Sequence, residues 1–246
     1  MPLDLSVSQA VIMAAAVLVA AYVRGYSGFG FSALVVASAS LVTDPRNIIP
    51  VVFFCELAMT TLQARGIWRL IQWSKVLTML AGAAVAMIFA VALLARIGLD
   101  TARMAISGVI LALAVLLLTG WTFRRPVGVV GHVAVGCISG ICNGAAVGGL
   151  PVAAFLTANS LSAPVFRATM IAYLTVIDIV ALPLFAHEGL ISRDTILAAL
   201  ATLPLLAIGL TLGGRHFIAA SPQTFRYMAI SLLAVLACLG LIRSVF

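Results

Sequence analysis

Arg24 to Phe31, reading RGYSGFGF, places an arginine, a serine and three glycines within eight residues, inside an apolar run from about Val7 to Val42. A guanidinium offers N–H donors in a planar fork that binds an oxyanion two bonds at a time. A helix restarting after a glycine break adds unpaired backbone N–H groups and the positive end of its dipole. Arg24, Gly25, Ser27, Gly28 and Gly30 therefore read as half of an anion site, with Ser27 as a side-chain donor. A second break, Gly140 to Pro151 (GICNGAAVGGLP), supplies Asn143, Gly144, Gly148 and Gly149 as the other half. Short helices beginning near Gly28 and Gly148 can aim their N-terminal ends at one point. The competing reading is that the glycines allow close helix packing and that Arg24 pairs with Glu56 or Asp178.

Glu56 and Asp178 each interrupt an apolar segment, and Arg167 lies upstream of Asp178. Carboxylates at membrane depth act by default as functional groups, commonly proton relays. These three residues are assigned to proton coupling or to charge pairing. Gly25-Tyr26-Ser27-Gly28 also spells the GxSG pattern of rhomboid-type intramembrane serine proteases. A serine nucleophile needs a base within hydrogen-bond reach. His132, His187 and His216 all fall near expected helix ends, where solvation at the membrane interface is the simpler role, so the chain is read as a non-enzyme. The four cysteines sit in apolar segments as small hydrophobes, with no metal-ligand spacing, and no cofactor is expected. Trp68, Trp73 and Trp121 lie near loops as interface anchors.

The elements that must position these groups follow from composition. Hydrophobic residues make up 64% of the 246 and charged residues 9%, against about 25% charged in soluble domains. Long apolar runs with short polar punctuation indicate an all-α polytopic membrane protein rather than a barrel. The net charge of +7 then reports loops facing an anionic leaflet rather than nucleic acid.

Two halves share one plan. Residues 1–126 form a first repeat, with a broken helix pair over 7–42 and helices over about 47–64, 76–95 and 101–121. Residues 127–246 form a second, with a broken pair over 127–160 and helices over about 164–185, 194–212 and 224–245. Gly30 and Gly149 are 119 positions apart, as are Pro45 and Pro164, and Met104-Ala-Ile-Ser107 recurs as Met228-Ala-Ile-Ser231. If each broken pair enters and leaves on one side, one face collects Arg65, Arg69, Lys75, Arg124, Arg125, Arg167, Arg215 and Arg226 with no acid. The other face mixes five bases with five acids. Single crossings by each broken pair would leave no bias. The positive-inside rule selects the first arrangement, an inverted repeat with both termini periplasmic. Whether the broken segments are re-entrant or paired full crossings stays open.

The glycine-rich segments RGYSGFGF and GICNGAAVGGLP, each leading into an apolar helix and a proline, resemble the sulfite exporter TauE/SafE family of bacterial membrane proteins, and the resemblance covers nearly the whole chain. The family's usual run of adjacent glycines is reduced here to GFGF and VGGLP. The resemblance implies a permease of the bacterial inner membrane. Its substrate would be a small sulfur-containing or organic anion such as sulfite, a sulfonate or sulfoacetate. Protons are a candidate coupling ion and a homodimer a candidate assembly. A passive anion channel on the same fold is the alternative.

Overall fold

The structure, a computed structural model, describes residues 5–64, 67–119, 127–159, 161–217 and 234. The expected last helix over 224–245, the repeated Met228–Ser231 segment, Cys238, Trp121 and the bases Arg65, Arg124, Arg125 and Arg226 lie outside the described residues.

Among the described residues the chain is all-helical, with nine α-helices, a single 3₁₀ turn and no strand. The helices are α1 (Val7–Ser27), α2 (Phe31–Val42), α3 (Pro45–Gln63), α4 (Trp73–Leu94), α5 (Leu99–Leu118), α6 (Val129–Asn143), α7 (Gly149–Ala158), α8 (Ala163–His187) and α9 (Arg193–Phe217). Five of them, α1, α4, α5, α8 and α9, are long and apolar enough to cross a membrane. Large apolar side chains stay exposed on them, among them Val11 and Val19 on α1 and Val85 and Phe89 on α4. A helix outside water can present such a surface because lipid replaces solvent. By contrast α2, α6 and α7 have 12, 15 and 10 residues, too short for a ~30 Å hydrocarbon core.

Local chemistry explains the boundaries. Ser6 caps α1 in a reciprocal capping box with Gln9, which satisfies two orphan N–H groups at once. Asp44 caps α3 ahead of Pro45, the residue type best suited to a first helical position. The first helix runs further than the sequence suggests, through Arg24 to Ser27, and stops where Gly28 takes the left-handed conformation (φ 84°). Gly25 does not break it because its bare Cα faces the Leu210 carbonyl of α9, and packing there outweighs a propensity cost of about 1 kcal/mol.

Two helix pairs dominate the packing: α1 lies along α9 and α4 along α6, while α3 contacts α8 and α9 and α8 contacts α3 and α4. Glycines set the close approaches. A Cβ at Gly82, Gly136 or Gly140 would run into backbone of the facing helix in the α4–α6 pair, and one at Gly209 or Gly213 would do so between α9 and α1. This is the small-residue packing of membrane helices. It also moves His132 from the expected interface into the protein. His132 is buried one turn before Gly136, with Nδ1 3.2 Å from Thr78 Oγ1 and its ring edge-on to Phe155.

The turns sort to two ends. Arg46 ties the α2–α3 turn to the α4–α5 turn by donating to the Ile97 carbonyl (2.8 Å), and Arg103 does so through Thr43 (2.9 Å). Asp44 and Asp100 share that end with Arg46 and Arg103. At the opposite end the Gln72 N–H donates to Thr169 Oγ1 (3.1 Å) and the exposed Trp68 and Trp73 stack. The described cations there are Arg69, Lys75, Arg167 and Arg215, near the start of α8 and the end of α9.

Candidate anion site

α3 and α8 run antiparallel through the middle of the bundle and meet along a polar seam. Thr60 and Thr175 touch hydroxyl to hydroxyl at 2.9 Å. One turn back along α3 and one forward along α8, the buried Glu56 and Asp178 come close enough to interact. Arg24 closes the group from α1, with Nη1 3.2 Å from Glu56 Oε2. All three side chains are buried, Arg24 completely. The triad sets one guanidinium against two carboxyl groups, and burial raises the cost of any charge left uncompensated there.

The triad does not satisfy itself. Arg24 Nε and Nη2, Glu56 Oε1 and Asp178 Oδ2 are buried and have no hydrogen-bond partner among the described residues. Unpaired buried polar atoms are costly and scarce in native structures, and such groups are suited to bind an ion, a ligand or water. Two unused nitrogens on one fork suit a bidentate oxyanion.

The first break lies one turn beyond Arg24. The Gly28 N–H bonds back to the Arg24 carbonyl at 2.8 Å, and Gly30, also left-handed (φ 90°), precedes α2. Ser27 spends its hydroxyl on the turn, donating towards the Val23 and Phe29 carbonyls at 2.8 and 2.9 Å. Arg167 crosses over the glycine, and a Cβ on Gly28 would come within 2.7 Å of Arg167 Cγ. Arg24 and Arg167 lie within electrostatic range of each other.

The second break is held by a relay that sequence reasoning missed. Tyr173 of α8 donates to Ser139 Oγ, and Ser139 donates to the Gly148 carbonyl, both at 2.7 Å. Each is an ordinary polar residue in an apolar helix, and only their juxtaposition marks them. Asn143 ends α6 buried, with Nδ2 3.6 Å from Met87 Sδ. Gly144 faces Ala90 of α4, and Gly148 faces Ser139 and Asn143 of its own turn. Gly149 opens α7 beside Leu174, where a Cβ would stand 3.1 Å from Leu174 Cδ2. Both breaks therefore rest on α8, one at Arg167 and one at Leu174, about 10 Å apart along its axis. Among the described residues no His, Cys, Asp or Glu cluster could hold a metal.

The geometry is that of a glycine-broken, multi-helix membrane protein with a buried arginine–carboxylate centre. The family model described as Sulfite exporter TauE/SafE matches residues 13–239. Neither the curated proteins nor the solved structures contain a match. The match spans both breaks and the whole triad, and the chain belongs to the sulfite exporter TauE/SafE family.

Proposed function

We propose that this protein is a secondary transporter that carries a small sulfur-containing or organic anion, such as sulfite, a sulfonate or sulfoacetate, across the bacterial inner membrane. The observation that carries the reading is Arg24, a fully buried guanidinium with one bond to Glu56 and two nitrogens unused. An arriving oxyanion takes Nε and Nη2 and competes with Glu56 for the remaining donors. The N-terminal end of α2, which has no side-chain cap, adds backbone N–H groups close by. Release of Glu56 from Arg24 leaves it to share a proton with Asp178, which links substrate to proton.

The halves are read as an inverted repeat with both termini periplasmic. Two features support this: the exchange of partners, α4 on α6 and α9 on α1, and the separation of the mixed-charge end from the base-rich end.

The test is binding to purified protein by thermal shift and calorimetry, with sulfite, sulfate, thiosulfate, sulfonates and short carboxylates compared. Arg24→Lys keeps the charge but loses the fork, and it should fold yet lose most of the affinity for whichever anion stabilises the native protein. Wild-type affinity in a folded Arg24→Lys protein would put the site elsewhere. For coupling, Glu56→Gln and Asp178→Asn should abolish pH-driven transport while binding stays measurable. Full pH-driven transport by both amide variants would remove the carboxyl groups from the mechanism.

A further inference from the structure

At the base-rich end, the last turn of α3, the first turns of α8 and the last turns of α9 line an open cavity of about 560 Å³. That volume falls within the ~300–1,000 Å³ of small-molecule sites. Arg167 and Arg215 line it from two different helices, Gln63 and Thr211 add polar groups, and among the described residues the lining includes no carboxylate. Gln63 borders the cavity, although its amide Nε2 and Oε1 are themselves buried, without a hydrogen-bond partner among the described residues. Gly214 keeps the wall thin, and Arg167 Nη2 lies 3.9 Å from where a Cβ on that glycine would stand. From the cavity the Arg167 side chain leads inward across Gly28, whose N–H is bonded to the Arg24 carbonyl. Arg215, Arg167 and Arg24 thus form a succession of positive charges from the base-rich end to the buried triad.

We propose that this cavity is a second anion site, an antechamber in which a small oxyanion is held by Arg215 and Arg167 before it passes Arg167 to reach Arg24. The inward step rests on the reading of Arg24 as the inner site; the cavity site itself does not. A pocket lined by charge of one sign with apolar walls concentrates the opposite charge, and here it faces the leaflet where bases collect.

The experiment compares two thiol reagents on full-length protein carrying Thr211→Cys in nonionic detergent micelles. One reagent is the anionic sulfonatoethyl methanethiosulfonate and the other its cationic trimethylammonium analogue. Labelling at position 211 is followed by mass spectrometry of that peptide, and rates are normalised to a free thiol. Both reagents meet the same sulfur, so its thiolate fraction cancels in the ratio. The anionic reagent should react about tenfold faster, millimolar sulfate should slow it, and adding Arg167→Gln with Arg215→Gln should abolish the preference. Should the double variant not fold, Arg215→Gln alone, at an exposed side chain, should still reduce it. Equal rates for the two reagents, or a preference that survives loss of the arginines, would overturn the proposal. Slowing by added phosphatidylglycerol but not by sulfate would overturn it too, by making the cavity a lipid-headgroup site. Arg24→Lys should leave the labelling ratio unchanged, so failure of the inner site and failure of the antechamber are read separately.

Discussion

Tyr173 on α8 donates its phenolic proton to Ser139 on α6 at 2.7 Å, and through Ser139 it holds the Gly148 carbonyl of the second break. Five residues further along the same helix stands Asp178. The helix that carries one carboxyl of the triad is therefore bonded to the loop between α6 and α7, so a shift of α8 is felt at the break.

The two ends of this relay should differ in stability. Tyr173→Phe removes one hydrogen bond and leaves Ser139 still donating to Gly148, a loss of about 1 kcal/mol. Ser139→Ala strands both the Tyr173 hydroxyl and the Gly148 carbonyl, and each stranded group costs roughly 1–3 kcal/mol. Thermal melts in detergent should rank Ser139→Ala as the less stable. The reverse order would mean that the phenol has another buried partner.

The Arg24–Glu56 pair should behave as a unit. Truncating either residue leaves a buried group uncompensated, with an expected loss of roughly 3–5 kcal/mol. Replacing both by methionine removes the two unsatisfied charges together, so the double variant should be more stable than the sum of the single effects by more than about 1 kcal/mol. A double-mutant cycle of unfolding free energies gives the coupling directly, and additivity would show that the two side chains do not interact.

Glycines divide by what faces them. Gly136→Ala drives a methyl into the Met79 carbonyl across the α4–α6 interface, and overpacking of this kind costs about 1–3 kcal/mol. Gly108, within α5, has no atom of the described residues within 4 Å of where a Cβ would stand. Gly108→Ala should therefore be neutral or stabilising by up to ~1 kcal/mol. Equal melting temperatures for the two variants would argue against the tight α4–α6 seam.

Asp44 gives a pH signature outside the membrane-spanning segments. Partial burial pushes its carboxyl up, but the hydrogen bonds and charge of Arg46, with help from Arg103, more than offset that and hold it below the ordinary carboxylate value. A depressed folded value means stability that is fully present above the unfolded pKa of about 3.9 and lost as pH falls through the folded one. Asp44→Asn keeps a capping side chain without the charge. Its melting temperature should fall below that of the wild type at pH 7 and converge with it below about pH 4. A gap that persists unchanged into acid would assign the effect to capping geometry instead.

Orientation can be read with fused reporters. A reporter active only in the cytoplasm should be silent when placed after Phe246 and active in the Arg124–Arg125 loop. The opposite pattern would reverse the proposed arrangement.

Composition by itself determined the class of this protein: so few charges over so many apolar residues leave no route to a soluble core, and runs of helical length follow. The positions of both breaks were also legible from the clustering of glycines in apolar sequence, and the resemblance to the family followed from them. Which glycine does what was not legible. Gly25 and Gly144 face neighbouring helices and Gly28 ends α1, distinctions set by which surface each Cα meets after packing. The carboxyl groups were visible as anomalies, but 122 positions separate Glu56 from Asp178, and only the antiparallel packing of α3 on α8 makes them neighbours. Ser139 and Tyr173 left no signal at all. A hydroxyl in an apolar helix looks the same whether it bonds its own turn or another helix, and tertiary structure alone decides between them.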